Sequence, residues 1–319
     1  MKDKVILDRE YTNQLRGFAM LIILFGHISG FFNQLNFAFI DNRYFTPLGG
    51  VGTAIFLFLS GYGLSESYKS KGLASFWKKK GLRLILPYVL SIPLFYIVSF
   101  FSPLMDENVL NSMPNQWYFE FMWFVEYLVV WYIIFWCAHK FFPEYALSLM
   151  VVIAIFTFFY LKSTLMTAQT FSFVFGTFIS KYKDRLQVWL YRNMYCKIAL
   201  IFFVLGICSL AVKQLPQIRQ YELDSYVYRF CELLIYLPLG ISIITLGSIN
   251  RFRDYGILVF IGSISYELYL VHVPFLYGLN NSHINVIIFV IQCIFHAWLL
   301  NILCTNCSKL IDRFFITHY

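Results

Sequence analysis

The feature that most constrains this chain is a series of long, uncharged apolar segments. A membrane span needs about 20 mostly apolar residues, because every backbone N–H and C=O must find its partner within the same helix. Ten segments qualify, a few of them short or interrupted: 17–40, 44–65, 84–105, 117–138, 145–161, 163–180, 198–212, 233–250, 255–277 and 284–304. The sequence therefore predicts an all-α fold, a polytopic transmembrane bundle of about ten helices.

Composition agrees with a lipid surrounding. Hydrophobic residues make up 59% of the 319 positions and charged residues 13%, against about a quarter charged in soluble domains. The net charge of +8 comes from bases scattered between apolar runs, so a nucleic-acid partner is not expected. We expect one membrane domain over residues 1–319, without a fused soluble domain.

The basic residues also predict the orientation. Cytoplasmic segments of membrane proteins carry an excess of Lys and Arg. If the N-terminus is cytoplasmic, 20 of the 25 bases lie on the cytoplasmic side. The N-terminal segment lacks a signal-peptide cleavage site. We therefore expect a multi-pass protein of the plasma (inner) membrane with both termini in the cytoplasm.

Metal or cofactor binding is not predicted. The seven cysteines lie mostly in apolar segments, where buried thiols are ordinary. Cys304 and Cys307 form a CxxC pair, but no second ligand pair lies near them, so we expect no zinc site.

Two ionisable residues mark the first apolar segment: Arg16 directly precedes it, and His27 lies within it. Such groups are costly in a membrane and often mark function. Eleven residues of α-helix bring them within about 20° of one face and about 16 Å apart. Gly26 and Gly30 beside His27 allow close approach of a helix or ligand. The alternative is a snorkelling arginine with a structural histidine.

A basic cluster that includes Lys80 and Arg83 directly precedes the third segment. The lysines are explained by the positive-inside rule, since an excess of bases holds the end of a span on the cytoplasmic side. An arginine followed at once by apolar residues also suits a cavity mouth that binds a polyphosphate from the cytosol.

In the glycine-rich second segment, Ser60 precedes Gly61.

Further polar residues interrupt later segments. Glu126 lies in the fourth, and Ser265, Glu267 and His272 lie in the ninth. We interpret Glu232 and His296 as single groups that pack within the bundle.

Together these residues resemble the acyltransferase-3 family of membrane acyltransferases. Arg16 and His27 match its Arg-x10-His pattern, and Lys80 to Arg83 match its Arg-x-x-Arg. The remaining matches are Ser60-Gly61, Pro87, Trp123-Phe124 and the stretch 265–272. Two positions depart from the family pattern: Lys80 replaces the first arginine, and Ala54 stands where many members carry Asp.

The resemblance implies transfer of an acyl group, commonly acetyl from acetyl-coenzyme A, to a hydroxyl of a cell-surface or lipid-linked glycan. It implies no tightly bound cofactor, and a separate extracytoplasmic partner is an option. Our hypothesis makes His27 the general base or acyl carrier, with Glu126 orienting its imidazole. The donor-binding residues would be Arg16, Lys80 and Arg83, and the substrate-binding residues Ser60, Ser265, Glu267 and His272.

Two other functions stay open on the sequence. A sugar or lipid transporter or flippase would also carry intramembrane His and Glu in glycine-rich helices. Against it, no inverted repeat is visible. A membrane sensor or scaffold is the third reading.

Overall fold

The computed structural model describes residues 7–30, 42–104, 122–161, 164–189, 192–221, 225–250, 255–276 and 283–317, and these contain helices and no strand. Eleven helices in this part of the chain have eight or more residues: α1 Arg9–Ser29, α2 Leu48–Lys71, α3 Phe76–Ser99, α4 Trp123–Phe141, α5 Ala146–Tyr160, α6 Thr170–Trp189, α7 Arg192–Lys213, α8 Tyr226–Asn250, α9 Gly256–Ser263, α10 Ser265–Leu276 and α11 His283–Thr317. Single turns lie at Asn42–Tyr44, Thr164–Thr167 and Pro216–Arg219.

Six of the described helices are long and apolar enough to cross a membrane, and α9 with α10 would make a seventh if they form one broken span. These correspond to seven of the ten predicted segments. The other three do not qualify. Segment 17–40 ends outside the described residues, α5 has only 15 residues, and the second half of α6 carries four charged residues. The all-α membrane fold is confirmed, and the count of about ten is not.

The contacts divide the chain into two compact units. The first comprises Met1–Ser29, Asp41–Leu73 and Glu126–Gly262. It contains α1, α2, most of α4, and α5 to α9. The second comprises Gly30–Ile40, Ala74–Val125 and Ser263–Tyr319, with α3, α10 and α11. The single domain expected from the sequence stays a prediction, since this division does not test independent folding.

Helix α2 is the centre of the first unit. It packs against α1, α6 and α8, and every residue from 51 to 59 is buried. Its crossing with α6 depends on two glycines. A Cβ placed on Gly61 would lie 2.1 Å from the carbonyl oxygen of Phe173, and one on Gly176 would lie 2.0 Å from that of Phe58. The backbones therefore touch directly, as small residues permit in membrane helices.

The second unit packs α3, α10 and α11 against one another. Helix α3 contains a π-helical turn at Gly81–Ile85. The carbonyl oxygen of Leu84 in this turn accepts a hydrogen bond from the Tyr266 hydroxyl of α10 at 2.9 Å. Farther along, the ring of Phe95 packs edge-on against that of Phe275, with centroids 5.9 Å apart.

We expect Gly61→Leu to destabilise the protein by about 3 kcal/mol, because the new side chain would collide with backbone that cannot move aside cheaply. Gly63→Leu is the matched control, since nothing lies within 4 Å of a Cβ at that position of the same helix. Thermal unfolding of detergent-purified protein measures both. Equal unfolding temperatures for the two variants would contradict the direct α2–α6 contact.

Candidate active site

Helix α1 begins at a capped end. The backbone N–H of Tyr11 donates to Oδ1 of Asp8 at 2.8 Å, which is the usual role of Asp at an N-cap. The Tyr11 hydroxyl donates to the Ile244 carbonyl of α8 at 2.6 Å, and Asn13 Nδ2 donates to the Val259 carbonyl of α9 at 2.9 Å. Burial, followed by the charge of Asp8, raises the pKa of Tyr11. The start of α1 is therefore fixed to two neighbouring helices.

The helix continues without a break to Ser29, so Arg16 and His27 stand on one helix, about 16 Å apart along its axis. Both side chains are exposed, whereas Leu15 is buried and so is Gly26. On this helix Arg16 and His27 are thus each more exposed than the residue that precedes them.

Close packing surrounds His27. A Cβ on Gly26 would lie 2.5 Å from the backbone nitrogen of Gly49 at the start of α2. Ser29 Oγ donates to the Gly26 carbonyl at 2.7 Å and lies 3.5 Å from the Thr46 hydroxyl. The end of α1 therefore rests on the beginning of α2, which fixes the backbone that carries the imidazole.

The other predicted residues of the first unit stand on α2 and α4. Ser60 is half-buried, and Glu126 is exposed. Among the described residues Glu126 makes no hydrogen bond or ion pair. The contact with the His27 imidazole that our hypothesis requires is thus not formed, and the roles of both residues stay predictions.

The predicted donor-binding bases Lys80 and Arg83 belong to the second unit. Lys80 comes directly before the π turn, is half-buried, and has its Nζ 5.7 Å from the ring centroid of Phe76. Arg83 lies within the turn and is exposed. The described residues offer its guanidinium no hydrogen bond or ion pair. Single π turns inside α-helices occur frequently at functional sites.

The three predicted substrate-binding residues of α10 lie inside the second unit. Ser265, Glu267 and His272 are all buried. Glu267 accepts a hydrogen bond from Asn301 Nδ2 at 3.1 Å, and the Nδ1 of His272 lies 2.7 Å from the Tyr269 carbonyl. Their described contacts are therefore with the protein, and substrate binding stays a prediction.

Some of the bases on the predicted cytoplasmic side are neutralised. Glu66 at the end of α2 pairs with Lys69 at 2.9 Å and with Lys183 of α6. It also accepts from the Ser180 hydroxyl at 2.7 Å. These lysines hold the ends of α2 and α6 together, so they have less charge to offer a ligand than Arg83 has.

The sequence did not predict a buried ion pair in the first unit. Lys213 Nζ, at the end of α7, donates to Oε1 of Glu232 on α8 at 2.7 Å, and both residues are buried. The Tyr236 hydroxyl donates to the same oxygen at 2.9 Å, while Oε2 accepts no hydrogen bond from the residues that the structure describes. The sequence analysis interprets Glu232 as a single packing group, and the structure gives it a buried partner, Lys213.

This pair is connected to the start of α2. A Cβ on Gly50 would lie 2.4 Å from the ring of Tyr236, and Gln169 Nε2 donates to the Gly50 carbonyl at 2.8 Å. Gly49, the residue before it, lies against Gly26 beside His27. One short segment of α2 therefore contacts both the helix of the predicted base and Tyr236, the tyrosine that donates to Glu232.

No group of three or more His, Cys, Asp or Glu side chains that could hold a metal ion occurs among the described residues. The thiols of Cys304, which is buried, and Cys307, which is half-buried, are free.

Comparison with known families decides the class of this protein. The acyltransferase-3 family model, described as an acyltransferase domain, matches residues 9–308. The chain belongs to this family. The match runs from the first residue of α1 into α11, and so includes both units. Neither the curated proteins nor the solved structures gave a match. As a family member with several apolar helices, the chain is a multi-pass membrane acyltransferase.

For this acyltransferase we expect the buried ion pair to matter to stability. Glu232→Gln leaves the Lys213 ammonium buried without its counter-charge, which costs about 3–5 kcal/mol. The double variant Lys213→Met/Glu232→Gln removes both charges and keeps an acceptor for Tyr236, so most of the loss should be recovered. Unfolding temperatures of the wild type, both single variants and the double variant give the coupling. Additive losses would contradict the pairing.

Proposed function

We propose that this protein is an O-acyltransferase of the plasma (inner) membrane with both termini in the cytoplasm. In this proposal it moves an acyl group, acetyl in the simplest case, from cytosolic acyl-coenzyme A to a hydroxyl of a cell-surface or lipid-linked glycan. Family membership supports the transferase class. The donor, the acceptor and the residue roles are inferred from the chemistry of the side chains.

One observation carries the choice of donor: Arg83 is exposed at a π turn and has no ion-pair partner among the described residues. A guanidinium binds phosphate through two parallel N–H donors, and coenzyme A is a cytosolic carrier with several phosphates. In the proposal Arg83 and Lys80 neutralise these phosphates, with Arg16 assisting. Lys69 and Lys183 are less suited to this, because both already form ion pairs with Glu66.

We assign the chemical step to His27. A neutral imidazole takes the proton from the acceptor hydroxyl as its oxygen attacks the thioester carbonyl. The carbon–sulfur bond then breaks, coenzyme A leaves as its thiolate, and the imidazolium returns the proton to sulfur. The products are an O-acyl ester and free coenzyme A. In the second version of the step, the imidazole itself carries the acyl group before the hydroxyl receives it.

Glu126 completes the proposed machinery as the carboxylate that orients the imidazole, by analogy with catalytic triads. Because the two side chains do not form this hydrogen bond in the structure, the role requires them to come together when substrates bind. The proposed glycan contacts are Ser60, Ser265, Glu267 and His272. Three of these are buried, so they would become available to a substrate only after a rearrangement of the second unit.

We expect His27→Ala to lower acetyl transfer by about 10²–10⁴-fold, the usual contribution of a general base, while the protein stays inserted and folded. The measurement follows labelled acetyl-coenzyme A with purified protein, as transfer or as slow hydrolysis. His139→Ala is the control, since this α4 histidine contacts the Phe135 carbonyl at 2.9 Å and has no proposed role.

Near-normal turnover in folded His27→Ala would exclude the proposed chemistry. If the wild-type protein leaves acetyl-coenzyme A untouched under all conditions, the transporter alternative gains support instead. An acyl adduct on the His27 peptide, trapped by acid and found by mass spectrometry, would favour the acyl-carrier version over general-base catalysis.

We also expect Arg83→Ala to weaken coenzyme A binding about tenfold at low salt, the loss of one charge-assisted contact of roughly 1.4 kcal/mol. The difference from wild type should shrink as salt rises, because ions screen the exposed charge. Titration of coenzyme A at several ionic strengths measures this. Lys140→Ala, another exposed base of the predicted cytoplasmic side, is the control. Unchanged affinity in Arg83→Ala would refute the phosphate contact.

A further inference from the structure

Two consecutive glycines, Gly49 and Gly50, lie in the first turn of α2. Glycine leaves the backbone more conformational freedom than other residues do, and the first turn of a helix lacks part of the helical hydrogen-bond ladder. This turn therefore depends on neighbouring helices for a fixed position. Its position matters for the proposed chemistry, because the same turn lies against the end of α1 that carries His27.

The contact between this turn and α1 is made by backbone atoms. A Cβ on Gly26 would lie 2.5 Å from the backbone nitrogen of Gly49 and 3.0 Å from its Cα. Farther along α2, a Cβ on Gly52 would lie 2.6 Å from the carbonyl oxygen of Ala19. Closely packed backbones have no flexible side chain between them to absorb a movement. A shift of the first turn of α2 is therefore passed on to the end of α1.

Tyr236 of α8 packs directly on the first turn of α2. A Cβ on Gly50 would lie 2.4 Å from Cε1 and Cζ of its ring and 2.7 Å from Cε2. The Tyr236 hydroxyl donates to Oε1 of Glu232 at 2.9 Å, and the same oxygen accepts from Lys213 Nζ at 2.7 Å. Breaking a buried hydrogen bond to a charged group is costly. The ion pair thus holds the ring of Tyr236 against Gly50.

A second side chain fixes the same glycine from α6. Gln169 directly precedes that helix and is 1% exposed. Its Nε2 donates to the Gly50 carbonyl at 2.8 Å, and its Oε1 accepts from the Ser172 hydroxyl at 3.1 Å. Gly50 is therefore held by two side chains from different helices, and each of these side chains is itself fixed by a hydrogen bond.

We propose that Tyr236 is a positioning residue for acyl transfer: through Gly50 and Gly49 it fixes the end of α1, and with it the place of the His27 imidazole. The inference rests on the proposed function, in which His27 is the general base or acyl carrier. Tyr236 acts through the backbone and is not itself a catalytic residue. The expected effect is large, since a displacement of about 1 Å at a reacting group can cost about 10²-fold in rate.

Gly50→Ala tests this route, because the new methyl group must push the ring of Tyr236 and the first turn of α2 apart. We expect kcat for the turnover of labelled acetyl-coenzyme A by the full-length protein in nanodiscs to fall by about 10²-fold. The KM for acetyl-coenzyme A should stay near the wild-type value, because the proposed phosphate contact of Arg83 belongs to the second unit. Rates are expressed per folded protein, measured by size-exclusion chromatography.

Tyr236→Leu tests the same contact from the other side and introduces no clash, so it also serves if Gly50→Ala does not fold. Loss of the ring leaves the first turn of α2 less restrained, and kcat should fall by about tenfold. The double variant Gly50→Ala/Tyr236→Leu gives the new methyl group room. Its kcat should exceed that of Gly50→Ala by about tenfold, which is the coupling expected of residues in contact.

Gly206→Ala is the matched control. It also places a methyl group against a side chain of α8, 2.5 Å from Cγ of Leu239, but it does so from α7. Its unfolding temperature should fall as that of Gly50→Ala does, because both changes overpack a helix contact. Its kcat per folded protein should equal that of the wild type.

A chemical readout follows the imidazole without any turnover. Diethyl pyrocarbonate modifies neutral histidines, and mass spectrometry of the peptides gives the rate at each one. His27 should react faster in Gly50→Ala than in the wild type, because the packing that fixes its helix end is loosened. The rate at His27 should be unchanged in Gly206→Ala and closer to wild type in the double variant. His139 of α4 is the internal reference.

Wild-type kcat in folded Gly50→Ala or in Tyr236→Leu would overturn the proposal. An equal loss of kcat in Gly206→Ala would do the same, because general destabilisation would then explain the effect, and so would an unchanged reaction rate at His27 in Gly50→Ala. His27→Ala separates this inference from the proposed function. Normal turnover in His27→Ala removes the proposed chemistry, whereas an inactive His27→Ala beside a fully active Gly50→Ala removes the positioning role alone.

Discussion

Direct backbone contact at glycines is the constraint on which the first unit depends. In lipid, apolar side chains gain little from leaving one hydrocarbon surrounding for another, so helices associate through close packing and polar contacts. At Gly61 and Gly176 the backbones of α2 and α6 meet with no room for a Cβ. The same device recurs where Gly26 meets Gly49. These contacts set the position of α2, and through it the end of α1 that carries His27.

The second constraint concerns which charged side chains have partners within the protein. Buried charges in the first unit have partners, as Lys213 and Glu232 do, because an isolated charge there would be costly. The exposed Arg83 of the second unit has no such partner among the described residues. A basic side chain that forms an ion pair with a carboxylate of the protein is largely neutralised. A basic side chain without such a partner can bind an anionic ligand. This difference separates the lysines that pair with Glu66 from the arginine to which we assign the donor.

The sequence predicted the helical membrane fold because lipid imposes one simple rule, that a span must be long and apolar. It also located His27 and Arg16 on one helix, since spacing alone determines that relation. It did not predict the Lys213–Glu232 pair, because contacts between helices depend on how they pack. A lysine at the end of one helix and a glutamate early in the next would meet in an antiparallel hairpin, and this signal was available.

Burial is the property of the α10 residues that the sequence does not show. Ser265, Glu267 and His272 interrupt an apolar segment, and from sequence alone a polar residue on a substrate pathway looks the same as one that packs inside the fold. In the structure Asn301 from α11 contacts Glu267, and a residue so distant in sequence gives no local signal. His296, which we interpret from the sequence as a packing group, has its ring stacked on that of Phe275 from α10, with centroids 5.2 Å apart.

The π turn bears on the departure of this chain from the family pattern at Lys80. In a regular α-helix residues 80 and 83 would lie on one face and could bind the same phosphate together. The π turn begins directly after Lys80 and accommodates an extra residue, so it alters that register. An ammonium binds phosphate as a point charge and needs no fixed direction, whereas a guanidinium needs its planar fork aligned. In the donor site that we propose, a lysine therefore tolerates the altered geometry at position 80, and the directional phosphate contact falls to Arg83.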